Sequence, residues 1–256
     1  MTGAPALPLA TDVADLWFLE SGALEEPAAA NPWLARLEPH ERRRHDALRS
    51  PAARRDFLAT RALARTALAH YSGQPAERLR FGTDPLRRPE VISPALPDLS
   101  FNLANTSGLA AGLFASGHEV GVDVELVAPI AAAEIAARFF SLREAAEVAA
   151  LEEAARLSRF YELWTLREAY LKARGVGLTL PLEQLAFQPT ASGEADAQFG
   201  PAIGDDPARW QFGLVWLTER HLAATCVRRP DSGSSVAVVR FDAGTRVAAI
   251  TKQPSR

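Results

Sequence analysis

The stretch "GVDVELV", residues 121–127, decides how the chain is read. Val122, Val124 and Leu126 alternate with Asp123, Glu125 and Val127, the two-residue period of a half-buried strand. Asp123 and Glu125 therefore leave one face, a single strand repeat apart. By itself this pattern fits the solvated side of an amphipathic strand as well as the beginning of a ligand set.

A third carboxylate lies downstream, in "FYELWTLREAYLKARG", residues 160–175. Trp164, Glu168 and Lys172 recur every four residues and so share one face of a helix. An exposed Glu–Lys pair at this spacing is common and is worth only about 0.3 kcal/mol. Its interest comes from standing some forty residues after the acidic strand.

The surrounding pattern is of mixed α and β type. Residues 15–20 read as a first strand, "LEPHERRRHDALRS" as a short charged helix and "SPAARRDFLATRALARTALAHYSG" as a long one. Ser50 is the expected N-cap of the long helix, with Pro51 in its first turn and Gly73 beyond its end. Residues 74–98 are proline-rich and read as a loop-rich connection, followed by strands at "LSFNLA", "AAGLFAS" and "EVGVDVELV". Ser141 and Glu144 form a capping-box signature that opens a helix over "SLREAAEVAALEEAA", and a second helix, "SRFYELWTLREAYLKARG", ends at Gly175. Strands follow at "EQLAFQ", "WQFGLVWL" and "HLAATCVR", with short ones near 236–240 and 246–250. The order strand, short helix, long helix, strands occurs twice and hints at duplication.

Composition narrows the function. With 256 residues, 48% hydrophobic and 23% charged, the chain has the makeup of a globular protein with a real core. A net charge of −3 argues against nucleic acid or an anionic membrane as the general partner. The single cysteine, Cys226, excludes an internal disulfide framework and reads as core filler. Only two of the 28 Lys and Arg residues are lysines. No secretory signal or spanning stretch stands out, so a cytoplasmic protein is expected.

Taken together, "GVDVE" and "WTLREAYLKARGVGL" resemble the signature of the Sfp-type phosphopantetheinyl transferases. Gly121, Asp123, Glu125, Trp164, Thr165, Arg167, Glu168, Lys172 and Gly175 match it in order and spacing, within a resemblance covering roughly residues 36–227. The resemblance implies an α+β fold of two similar halves about a pseudo-twofold axis, with a coenzyme cleft between them. The expected division is 1–115, 116–227 and a C-terminal extension, 228–256, of open role.

It further implies transfer of the 4′-phosphopantetheine arm of coenzyme A to a serine of an apo acyl or peptidyl carrier protein, releasing adenosine 3′,5′-bisphosphate. Asp123, Glu125 and Glu168 would then be the carboxylates for Mg²⁺, a hard cation suited to oxygen ligands. Glu168 would act as general base, and Lys172 would reach a pyrophosphate oxygen. Arg44 and the pair Arg88–Pro89 fall at family positions used for the coenzyme's phosphates. In "FNLANTSGLAAGLF", Asn102, Asn105 and Thr106 occupy the corresponding coenzyme strand. The family's Ser-His is here Ala104–Asn105, and an amide donates hydrogen bonds without becoming a cation. That replacement motivates the alternative of a non-catalytic coenzyme A-binding or regulatory protein of the same fold. The expected protein is a monomer that binds neither nucleic acid nor membrane.

Overall fold

A computed structural model of the chain describes residues 9–24, 31–83, 89–96, 98–231, 234–244 and 246. The chain divides into two compact units, Met1–Gly117 with Ala237–Arg256, and His118–Val236. The mixed α+β class expected from the alternating strand and helix patterns is the class found. Among the described residues, no helix is long and apolar enough to cross a membrane.

In the first unit, β1 (Val13–Glu20) is followed by α1 (Pro32–Ala35), α2 (Pro39–Ala47) and α3 (Pro51–Ser72). A hairpin of β2 (Arg80–Thr83) and β3 (Pro89–Ser93) precedes β4 (Leu99–Thr106) and β5 (Leu109–Ser116). That hairpin lies within the stretch expected to be loop. The second unit runs β6 (Val120–Leu126), α4 (Ala132–Phe139), α5 (Leu142–Ala150) and α6 (Glu153–Arg174). It continues with β7 (Leu185–Pro189), β8 (Glu194–Phe199), β9 (Trp210–Trp216) and β10 (His221–Arg228). β11 (Ala237–Asp242) then pairs parallel with β1, giving the C-terminal extension a place in the first unit's sheet. The strand orders are β11-β1-β5-β4 and β6-β10-β9-β8-β7.

Local chemistry sets several boundaries. The Ser50 side chain accepts from the Ala53 backbone N–H, Pro51 sits in the first turn, and Gly73 closes α3 in the left-handed conformation at φ 64°. The Ser141–Glu144 capping box forms as expected. The helix it opens is shorter than the pattern suggested. Leu151 and Glu152 are extended, and α6 starts at Glu153 instead of Ser158. Of the two short strands expected near the end, the first is β11; residues 247–250 lie outside the described set.

The two units share a construction. Each begins with a strand that pairs antiparallel with the unit's last antiparallel strand, β1 with β5 and β6 with β10. In each, the N3 glutamate of a capping box on the short helix is buried against an arginine of the long helix. Glu41 takes Arg65 in two bonds, of 2.6 and 3.3 Å, and Glu144 takes Arg167. Each guanidinium lies over a phenylalanine of the following hairpin, Arg65 at 4.4 Å from Phe81 and Arg167 at 5.4 Å from Phe187. Glu144 also accepts from the Phe187 backbone N–H at 2.9 Å, joining α5 to β7.

Candidate active site

In the second unit, α6 packs its Ala169 and Ala173 side against the β6–β10 pair, in a core that includes Tyr170, Leu222, Ala224 and Cys226. The face of β6 that meets the helix is the one carrying Gly121, Asp123 and Glu125. At Gly121 the contact is backbone to backbone: a Cβ there would overlap the Ala169 carbonyl oxygen and stand 2.5 Å from the Ala173 nitrogen. The missing side chain lets the helix close on the strand. The two carboxylates that the pattern allowed to be solvent-facing are instead turned toward α6.

The helix meets them with its four-residue series. Lys172 Nζ donates to Asp123 Oδ1 at 2.7 Å. The helical partner that the sequence offered Lys172, Glu168, is not the one whose oxygen it holds. The Trp164 side chain favours the charged form of Glu125, and its ring stacks on Phe160 at 5.9 Å. Burial pushes the Glu125 carboxyl up to about 7, with Asp123 and Glu168 adding to the rise and Lys172 and Trp164 opposing it. Glu168 is raised as well, by burial first and then by Asp123. The structure thus gathers Asp123, Glu125, Glu168 and Lys172 into one electrostatic cluster. Three carboxylates against one ammonium leave it short of positive charge.

Asp123 carries the clearest mark of a missing partner. It is 6% exposed, and its second oxygen, Oδ2, is buried without a hydrogen bond. A buried unpaired carboxylate oxygen is costly unless something satisfies it. A hard divalent cation fits this oxygen-only donor set. Among the described residues, no group of three His, Cys, Asp or Glu stands ready-made as a metal cage, and the other Asp123 oxygen is held by Lys172.

The first unit has a related framework with a different polar centre. His70 follows Arg65 by five positions, as Lys172 follows Arg167. Trp17 of β1 meets the His70 ring at 5.6 Å where Asp123 meets Lys172. Trp17 donates to Tyr71, which donates to the buried Asp15 at 2.6 Å.

The other expected site residues belong to the first unit. Arg44 is exposed on α2, its guanidinium 5.6 Å from the Phe57 ring. Asn102, Asn105 and Thr106 lie on β4, with Asn105 exposed and opposite Ala110 of β5. Arg88 lies outside the described residues, and Pro89 pairs with Thr83 through the β2–β3 ladder. Two arginines of α3 are structural. Arg65 is a core ion pair, and Arg61 lies 3.5 Å from the same Glu41. Arg167 is buried and also donates to the Leu163 and Leu185 carbonyls.

Comparison with known proteins extends beyond this unit. The profile described as the 4′-phosphopantetheinyl transferase superfamily matches residues 119–226. The 4′-phosphopantetheinyl transferase HetI of Nostoc sp. is 30% identical over 202 residues, covering 77% of this chain and 83% of its own. A 4′-phosphopantetheinyl transferase of Bacillus subtilis is 30% identical over 170 residues, 66% of this chain and 72% of that one. The transferase Sfp of Bacillus subtilis (strain 168) is 27% identical over 164 residues, 64% and 70% of the two chains. With the acidic strand, its helix and most of a relative's length matched, the chain belongs to the 4′-phosphopantetheinyl transferase superfamily.

Proposed function

We propose that this protein transfers the 4′-phosphopantetheine arm of coenzyme A to a serine hydroxyl of an apo acyl or peptidyl carrier protein and releases adenosine 3′,5′-bisphosphate. Family membership supports the reaction class. The observation that carries the reading is the closure of α6 onto Gly121, which turns Asp123 and Glu125 toward Glu168 and Lys172 and leaves one Asp123 oxygen unpaired.

Asp123, Glu125 and Glu168 are the residues assigned to Mg²⁺. When bound, the ion would neutralise pyrophosphate charge and stabilise charge on the leaving phosphate. Glu168 accepts the serine proton as the general base. The freed oxygen bonds to the phosphorus bearing the pantetheine arm, and the bond from that phosphorus to the adenosine bisphosphate oxygen breaks. Lys172 supplies a mobile point charge for the phosphates. Arg44, Arg88, Pro89, Asn102, Asn105 and Thr106 are assigned to the coenzyme, with Arg44 and Arg88 as the guanidinium groups for its phosphates. The setting is a cytoplasmic monomer.

The test mixes the protein with an apo-carrier, coenzyme A and Mg²⁺ and weighs the carrier by mass spectrometry. A phosphopantetheine-sized gain that disappears with Asp123→Ala is expected. Unchanged mass across several apo-carriers, with coenzyme A still bound, would overturn the reading.

A further inference from the structure

The ion pair at the centre of the cluster has two unlike ends. Asp123 belongs to a strand and its side chain is 8% exposed, whereas the Lys172 side chain is 30% exposed. The carboxylate is fixed and the ammonium has a way out. Lysine is also a marked choice here, because nearly all of the chain's 28 Lys and Arg residues are arginines. A guanidinium fork favours one bidentate geometry, while an ammonium on a flexible stem can change partners.

We propose that Lys172 is the resident counter-cation of Asp123 and is exchanged for the divalent metal, so that metal binds weakly until the anionic coenzyme draws the ammonium away. This rests on the metal reading given above. Lys172 holds Oδ1 at 2.7 Å while Oδ2 has no partner, so Asp123 cannot offer both oxygens to a metal while the pair stands. Repulsion between an ammonium and a dication on one buried carboxylate opposes uptake of the metal alone. A coenzyme phosphate gives Lys172 a second anionic partner and removes that opposition. By linkage, metal and coenzyme then strengthen each other's binding by the same factor.

The experiment titrates Mn²⁺ into the full chain by calorimetry, with and without coenzyme A. For the wild type, coenzyme A is expected to tighten Mn²⁺ binding about tenfold. Lys172→Met is expected to bind Mn²⁺ alone about tenfold tighter than the wild type and to lose most of the gain from coenzyme A. Lys172→Arg keeps the charge and keeps Mn²⁺ binding weak in the absence of coenzyme. Should Lys172→Met fail to fold, the wild type still decides the matter: unchanged Mn²⁺ affinity on adding coenzyme A overturns the exchange. So does a folded Lys172→Met that binds Mn²⁺ no tighter than the wild type while Asp123→Asn binds none. Absence of Mn²⁺ binding by the wild type with or without coenzyme A, or undiminished binding by Asp123→Asn, would overturn the underlying metal reading instead.

Discussion

Gly121 and Ala173 meet backbone to backbone: a Cβ on the glycine would lie 2.5 Å from the Ala173 nitrogen. Neither strand nor helix can yield there as a flexible side chain could. Gly121→Ala is therefore expected to destabilise the protein by about 3 kcal/mol, the upper part of the range for overpacking. It should also weaken divalent-ion binding, since α6 carries Glu168 and Lys172. Urea unfolding combined with Mn²⁺ titration checks both; a stable variant with normal metal affinity would contradict the packing account.

Trp164 links an aromatic stack to a carboxylate, because its side chain favours the charged form of Glu125 while its ring lies against Phe160. Trp164→Phe keeps a ring and removes the donor. Stability should fall by about 1 kcal/mol, while the transfer rate falls about tenfold, as expected for losing a polar neighbour of the carboxylate. Trp164→Leu should lose further stability without a matching further loss of rate. Denaturation and initial rates on the same preparations separate the two effects.

Arg65 and Arg167 are both enclosed, and each neutralises a glutamate that also caps a helix. Replacing either by Met strands a buried carboxylate. Arg65→Met and Arg167→Met should each cost about 3–5 kcal/mol in urea unfolding. A loss below about 1 kcal/mol would mean that the pair behaves as an ordinary surface bridge.

Asp15 provides a dependence on pH within the first unit. Burial raises its carboxyl above the usual range, outweighing the opposing influence of the Tyr71 hydroxyl and of His70. The folded state therefore binds this proton more tightly than the unfolded state. Its ionised form costs stability at neutral pH, and the cost fades as pH falls through the raised pKa toward the unfolded value near about 3.9. Asp15→Asn keeps an oxygen acceptor for Tyr71 and should be more stable than the wild type at pH 7. That advantage should shrink on acidification; an advantage that grows as pH falls would contradict the sign.

Much of this was legible where the signal is local. Ser50, Pro51 and Gly73 delimited α3, and Ser141 with Glu144 opened α5, because caps are read within one turn. The break between α5 and α6 was not legible, since neither Gly nor Pro marks Leu151 and Glu152. The β2–β3 hairpin was hidden by a proline-rich stretch. For the site, spacing brought Glu168 and Lys172 to one helical face, but period two alone could not say whether Asp123 and Glu125 faced water or the helix. Gly121 held the answer, as the point where a side chain would block the helix. Arg65 and Arg167 gave no sign of burial, because their glutamate partners lie 24 and 23 residues away.

The central claim is that Asp123, Glu125 and Glu168 serve one divalent cation. The most direct test is a crystal structure of the protein grown with Mn²⁺ and coenzyme A, with the metal located by anomalous scattering. The account predicts a single strong peak within bonding distance of oxygens from those three side chains. A peak elsewhere, or none while Lys172 still holds Asp123 beside a bound coenzyme, would contradict it.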